Sequence, residues 1–118
     1  MSDTDGPPLR EPTFLILTAL AEEPQHGYAV IQEVSRISEG RVRLRAGTLY
    51  AALDRLRTDG LIAVDHEEVV QTRLRRYYRI TAEGAGRLAI EVDRLRRHAE
   101  IAGARLTRLR TNLSGGAL

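Results

Sequence analysis

The sequence predicts a mainly α-helical chain that carries one small β-hairpin and closes with a long helix. Three observations predict it. Leu49, Leu53 and Leu56 recur at helical spacing and run into Asp59-Gly60, a helix stop. Residues 62–67 and 75–80 have the composition of two paired strands. From Ala85 to Leu113 the apolar residues step by three and four without interruption, the heptad period of a two-helix coiled coil.

Composition sets the bounds. The 118 residues suffice for one small core. Apolar residues make up 42% and charged residues 29%, the balance of a soluble globular chain. No run approaches the roughly 20 apolar residues of a membrane span. The first residues, MSDTDGPPLREP, are acidic and contain Pro, unlike a secretory signal or a basic transit peptide, so a cytoplasmic protein is expected. The absence of cysteine excludes disulfides and thiolate metal sites. The 3 histidines stand far apart, so no metal is expected, and nothing suggests a cofactor. With no cysteine nucleophile and no Gly-rich phosphate loop, the chain is not expected to be an enzyme.

Net charge is only +2, but it is unevenly placed. Residues 41–57 hold five Arg against one acid, and residues 73–79 hold four Arg and no acid. The acids gather elsewhere, at 1–40 and 58–72. Local basic islands matter more for phosphate binding than the global sum. All 18 basic residues are Arg, a choice that GC-rich coding explains as well as function does.

In chain order, residues 1–11 read as a flexible arm. Pro12 to Glu22 reads as a first helix, with Pro12 suited to its first position. It is apolar nearly all round and needs cover on more than one face. Pro24 enforces a break. His26 to Ser38 is a second helix with an apolar stripe of Tyr28, Ile31, Val34 and Ile37, ended by Gly40; His26 at its start suits a cap or packing role. Arg41 to Arg45 alternates basic and apolar, the period of a short half-buried strand.

The third helix follows. Leu49, Ala52, Leu53 and Leu56 form its buried side, and Thr48, Ala51, Arg55 and Thr58 its outer side. Its tip, Ala46-Gly47-Thr48, is small and follows Arg45, a shape that can enter a DNA major groove. The plainer alternative is an ordinary amphipathic core helix. In the hairpin beyond it, Val64 and His66 are expected to share one face. The connection, 68–74, is longer than a tight turn and is expected to project as a flap whose descending limb carries Arg73, Arg75, Arg76 and Arg79. Val69 and Val70 are apolar for an exposed tip.

Thr81 is the expected N-cap of the last helix, with Glu83 in its first turn, and the helix runs to Leu113. Its seam is Ala85, Leu88, Val92, Leu95, Ala99, Ala102, Leu106, Leu109 and Leu113. A rod of roughly 44 Å, at 1.5 Å per residue, exceeds what one small domain covers. Leu88, Val92, Leu95, Ala99, Ala102, Leu106 and Leu109 are therefore the expected dimerisation residues. Residues 114–118 read as a disordered tail.

Helix, helix, short strand, helix and hairpin is the order of a winged helix-turn-helix. This assigns residues 12–80 to a DNA-binding domain and 81–113 to a dimerisation helix. The third helix would read the major groove and the hairpin would be the wing. Both basic islands fall where such a fold meets double-stranded DNA. Expected contacts are Arg43, Arg45, Thr48, Tyr50, Ala51 and Arg55 on or before the third helix, and Arg73, Arg75 and Arg76 on the wing. Arg79 adjoins the core and suits a pairing with an acid instead.

Three blocks, HGYAVIQEV (26–34), GTLYAALDRLRTDGLI (47–62) and RRYYRITAEGAGRL (75–88), resemble the signature of PadR-type transcriptional regulators over residues 12–110. The single carboxy-terminal helix is similar to the smaller subclass. The resemblance implies a homodimeric repressor that binds a palindromic operator and is released by a small molecule. It also implies that Tyr28 lies close to phosphates, that Thr48 and Tyr50 begin the recognition helix, and that Arg76 and Tyr77 end the wing. Ala51 stands where many members have Pro, which alters the surface offered to bases.

An effector pocket between the first helix and the paired last helices would involve Phe14, Leu17, Leu95 and Ala99, which a dimer core explains equally well. The competing functional reading is a winged-helix module that binds protein and not DNA, and the apolar wing tip is the feature in its favour.

Overall fold

In the computed structural model, which describes residues 7–115, four helices surround a three-stranded antiparallel sheet. The elements are α1 (Glu11–Leu20), β1 (Gln25–His26), α2 (Gly27–Ile37), α3 (Ala46–Thr58), β2 (Ile62–Val70), β3 (Arg73–Ile80) and α4 (Ala82–Gly115). The sheet order is β1-β3-β2. This is a winged helix-turn-helix extended by one long helix. No described helix is long and apolar enough to cross a membrane.

One core joins the elements. Leu15, Ile16, Leu17 and Leu20 of α1 pack with Val30 and Val34 of α2 and with Leu49, Leu53 and Leu56 of α3. Leu61, Ile62 and Tyr78 close it from the sheet. The predicted inner side of α3 is buried, and Thr48, Ala51, Arg55 and Thr58 are exposed as predicted. The helix stop also holds: Gly60 has φ +78°, and the Leu61 amide donates back to the Leu56 carbonyl at 2.9 Å. On α2 the stripe shifts. Val30 and Val34 are wholly buried, whereas Tyr28 projects into solvent and is not part of the apolar face.

Four expectations need correction. The alternation at 41–45 is real, with Val42 and Leu44 half-buried and the arginines exposed, but the segment is not a strand. The place beside β3 is taken by Gln25–His26, which pairs with Tyr78 and Tyr77. Second, the flap does not exist. Strands β2 and β3 continue through 68–70 and 73–74, and only Gln71 and Thr72 turn, both with positive φ of 51° and 67°. Two successive left-handed residues make the primed turn that matches strand twist, here without glycine. Third, Val64 and His66 do not alternate regularly. Asp65 is an extra residue in β2, because Val64 faces Tyr78 and His66 faces Tyr77.

The fourth concerns the ends. Residues 7–10 are not a free arm: the Leu9 amide donates to Glu91 Oε1 at 3.1 Å, and Arg87 donates to the Pro7 carbonyl at 3.0 Å. Residues 1–6 of the expected arm lie outside the described residues. Ser114 and Gly115 continue α4, and the rest of the expected tail, 116–118, lies outside them as well.

Helix α4 is seated at its start. Thr81 Oγ1 donates to the Gly60 carbonyl at 2.7 Å and accepts from the Gly84 amide at 3.0 Å, which makes it the predicted N-cap. Gly84 lies directly against the Leu61 carbonyl, leaving no room for a β-carbon. Leu88 still packs on the core, but every residue from Leu95 to Gly115 is exposed. The chain measures 72 × 34 × 22 Å, the long axis reflecting this projecting rod.

Candidate nucleic-acid interface

The amino end of α3 is open. Arg45 occupies the N-cap without a side-chain cap bond, so the first amides of the helix keep their donors free. Ala46, Gly47 and Thr48 are exposed, and nothing lies within 4 Å of a β-carbon built at Gly47. Arg43 is exposed too, with its Nε on the Gly40 carbonyl at 3.1 Å. Arg45 and Arg55 make no ion pair among the described residues. A narrow tip with free amides and unneutralised guanidinium groups is thus presented to solvent.

The amino end of α2 stands beside it. His26 caps this helix: its Nδ1 accepts from the Ala29 amide at 3.3 Å. Tyr28 follows, 64% exposed, and Tyr50 of α3 lies against Gly27 with half its surface free. The wing faces both helices across an open cleft of about 640 Å³, whose lining includes Tyr28, Tyr50, Arg73, Arg75 and Arg76. The structure therefore brings these five predicted residues together. Thr48, Ala51 and Arg55 form the exposed outer side of α3.

The wing arginines are not equivalent. Arg76 pairs with Glu67 at 3.1 Å, directly across the ladder, and Arg79 pairs with Asp65 at 3.8 Å, the acid pairing expected for it. Arg73 and Arg75 have no acidic partner among the described residues. Tyr77 does not reach the cleft with the others. Its ring stacks on His66 at 4.3 Å and meets His26 edge-on at 5.3 Å, so one aromatic ladder crosses all three strands. His66 is held in turn by Asp65, with Nδ1 to Oδ2 at 2.6 Å, which raises its pKa above the ordinary value.

Asp54 and Leu74 are among the cleft residues that sequence reading missed. Asp54, one turn beyond Tyr50, places an acid among the arginines, and Leu74 lines the cleft from the wing. Helical spacing from Tyr50 was an available signal for Asp54; nothing local marked Leu74, because its position depends on how far the strands continue. Of the four residues expected around an effector, Leu17 is sealed in the core at 0% exposure and Phe14 is half-buried. Leu95 and Ala99 stand exposed on α4, so one chain does not assemble these four into a pocket.

The sequence model of the PadR-like family of transcriptional regulators matches residues 16–90, from α1 into α4. This chain belongs to that family. A transcriptional regulator of Mycobacterium tuberculosis is 44% identical over 79 residues, covering 67% of this chain and 68% of its own length. A PadR family regulator of Clostridium difficile superposes with a TM-score of 0.66 at 25% identity, over 82% of this chain and 99% of that one. PadR of Bacillus subtilis, solved with operator DNA, shares the fold with a TM-score of 0.61 at 20% identity, over 68% of this chain and 46% of that one. In this PadR-like chain the matched segment contains the whole cleft, whereas the outer half of α4 lies beyond it.

Proposed function

We propose that this PadR-like regulator acts as a homodimeric repressor that binds a palindromic site on double-stranded DNA. The observation that carries the reading is one open cleft lined by Tyr28, Tyr50 and the unpaired wing arginines, with the tip and outer side of α3 exposed to solvent. In this reading Thr48, Ala51 and Arg55 meet base edges in the major groove. Tyr28, Tyr50, Arg43 and Arg45 contact flanking phosphates, as do Arg73 and Arg75. Arg76 joins them only by leaving Glu67. Tyr77 positions the wing through its histidine neighbours instead of touching DNA.

The dimer rests on α4. Leu95, Ala99, Ala102, Leu106 and Leu109 lie exposed along one heptad seam, with Leu113 continuing it, and water is a poor partner for such a stripe. Pairing two rods would set two recognition helices on neighbouring turns, roughly 34 Å apart or a multiple of that, which makes the site two-fold symmetric. Release by a small molecule would follow if a ligand changed the angle between the rods; Phe14 and the Leu95–Ala99 turn are the residues to vary.

The test is selection of DNA by the purified full chain, followed by anisotropy titration at several salt concentrations. A selected inverted repeat, bound by two subunits with a steep salt dependence, is the expected result. Absence of binding to any DNA at micromolar protein and low salt would instead favour the protein-interaction reading.

A further inference from the structure

We propose that the wing tip is an apolar wedge for the DNA minor groove, formed by Val69 and Leu74; this rests on the DNA-binding reading above. The two side chains belong to facing residues of β2 and β3, so they point to the same side of the ribbon. They are 73% and 64% exposed, an unusual position for a Val and a Leu at the end of a hairpin. The tight turn at Gln71-Thr72 places them at the outermost paired rungs, with only Val70 and Arg73 beyond.

The alternation of β3 determines what the wedge carries. Leu74 shares its face with Arg76 and with Tyr78, which enters the core, and it lines the same cleft as Tyr28 and Tyr50. Arg73 and Arg75 alternate with it along the strand and also line the cleft. The tip therefore sets two exposed apolar side chains beside two arginines that make no ion pair among the described residues. A minor groove offers a match for both: sugar rings and base edges for Val69 and Leu74, phosphates for Arg73 and Arg75. Apolar side chains used this way press on base steps and favour those that unstack easily, such as TA and CA/TG. The wedge then selects sequence beside the major-groove contacts without a hydrogen bond to any base.

The experiment uses the full chain, its selected site, and 2-aminopurine at successive positions of the flank under the wing. The parent is expected to raise 2-aminopurine fluorescence at one step. V69S/L74S, which makes both exposed positions polar, should lose that signal and about tenfold in affinity, with the salt slope unchanged. R73A/R75A should lower the slope instead. Parental affinity and flank preference in V69S/L74S would overturn the wedge while leaving DNA binding intact. Normal DNA binding with lost repression in cells would overturn it in favour of a protein partner at the tip. A parent chain that binds no DNA would remove the functional reading and the wedge together.

Discussion

A β-carbon at Gly27 would stand 2.5 Å from the Tyr50 hydroxyl oxygen and 2.8 Å from its Cζ. The tyrosine of α3 thus rests against the first turn of α2, and glycine is what permits it. Replacing Gly27 by Ala pushes the ring outward. The displaced atoms end a half-exposed side chain, so stability should change by less than about 1 kcal/mol. DNA affinity should fall several-fold, because Tyr50 leaves the cleft edge. Thermal unfolding and anisotropy on the same sample separate the two effects.

Gly84 gives the opposite outcome. A β-carbon there meets the Leu61 carbonyl and lies 2.9 Å from Ile80 Cγ1, and backbone cannot swing away. Gly84→Ala should cost about 2–3 kcal/mol, the scale of overpacking a tight contact. The urea midpoint reads this directly; an unshifted midpoint would contradict the packing of α4 on Leu61 and Ile80.

Glu67 competes with phosphate for Arg76. Glu67→Gln removes that competitor and one negative charge from the wing, so DNA binding should strengthen. The salt slope should steepen by up to about 0.9 as Arg76 gains a phosphate. Arg76→Ala in the parent should weaken binding less than Arg75→Ala does, since Arg76 must first give up its ion pair.

Leu106 lies midway along the exposed part of α4 and is itself 46% exposed. Leu106→Asp buries a carboxylate in any paired seam and should shift sedimentation to the single subunit. The circular dichroism of the winged helix should persist, and operator affinity should drop steeply. Monomeric parent protein at micromolar concentration would defeat the paired-rod account.

Histidine titration gives two limbs of opposite sign. The pKa of His26 lies below its ordinary value of 6.5, chiefly through burial, with Arg75 adding to the effect and Glu68 opposing it. A lowered folded value means that its contribution is complete above pH 6.5 and is lost as pH falls through 6.5 towards the folded pKa. Protonation also places a donor on Nδ1, where the Ala29 amide needs an acceptor. His66, raised by its bond to Asp65 and its neighbour Glu68, contributes fully below 6.5 and loses that contribution as pH rises through its folded pKa. Solvent screens this exposed pair, so the acid limb of His26 should dominate. His26→Asn, a capping residue without a titration, should flatten the fall in urea midpoint as pH drops below 6.5 towards the folded pKa. An unchanged pH profile in that variant would exclude the cap as its source.

Local sequence determined a large part of this molecule. The buried side of α3, the Gly60 stop, the Thr81 cap and the heptads of α4 depend on contacts within a turn or two of helix. Periodicity and capping chemistry therefore reveal them. The two basic islands also came out where the fold displays them.

What tertiary structure decided was whatever needs a partner far along the chain. The alternation at 41–45 has the right period for a strand, yet a strand exists only with a hydrogen-bonded neighbour, and Gln25–His26 holds that place beside Tyr77 and Tyr78. The length of the wing depended on Gln71 and Thr72 accepting left-handed backbone that glycine usually supplies. Whether an arginine is free did not follow from register alone: Arg76 faces Glu67 and pairs with it, whereas Arg75 faces Glu68, whose carboxylate lies 3.4 Å from His66 Nε2 instead. Side-chain period is a local property, but pairing is set by the energy of the whole sheet, and no single stretch of sequence contains it.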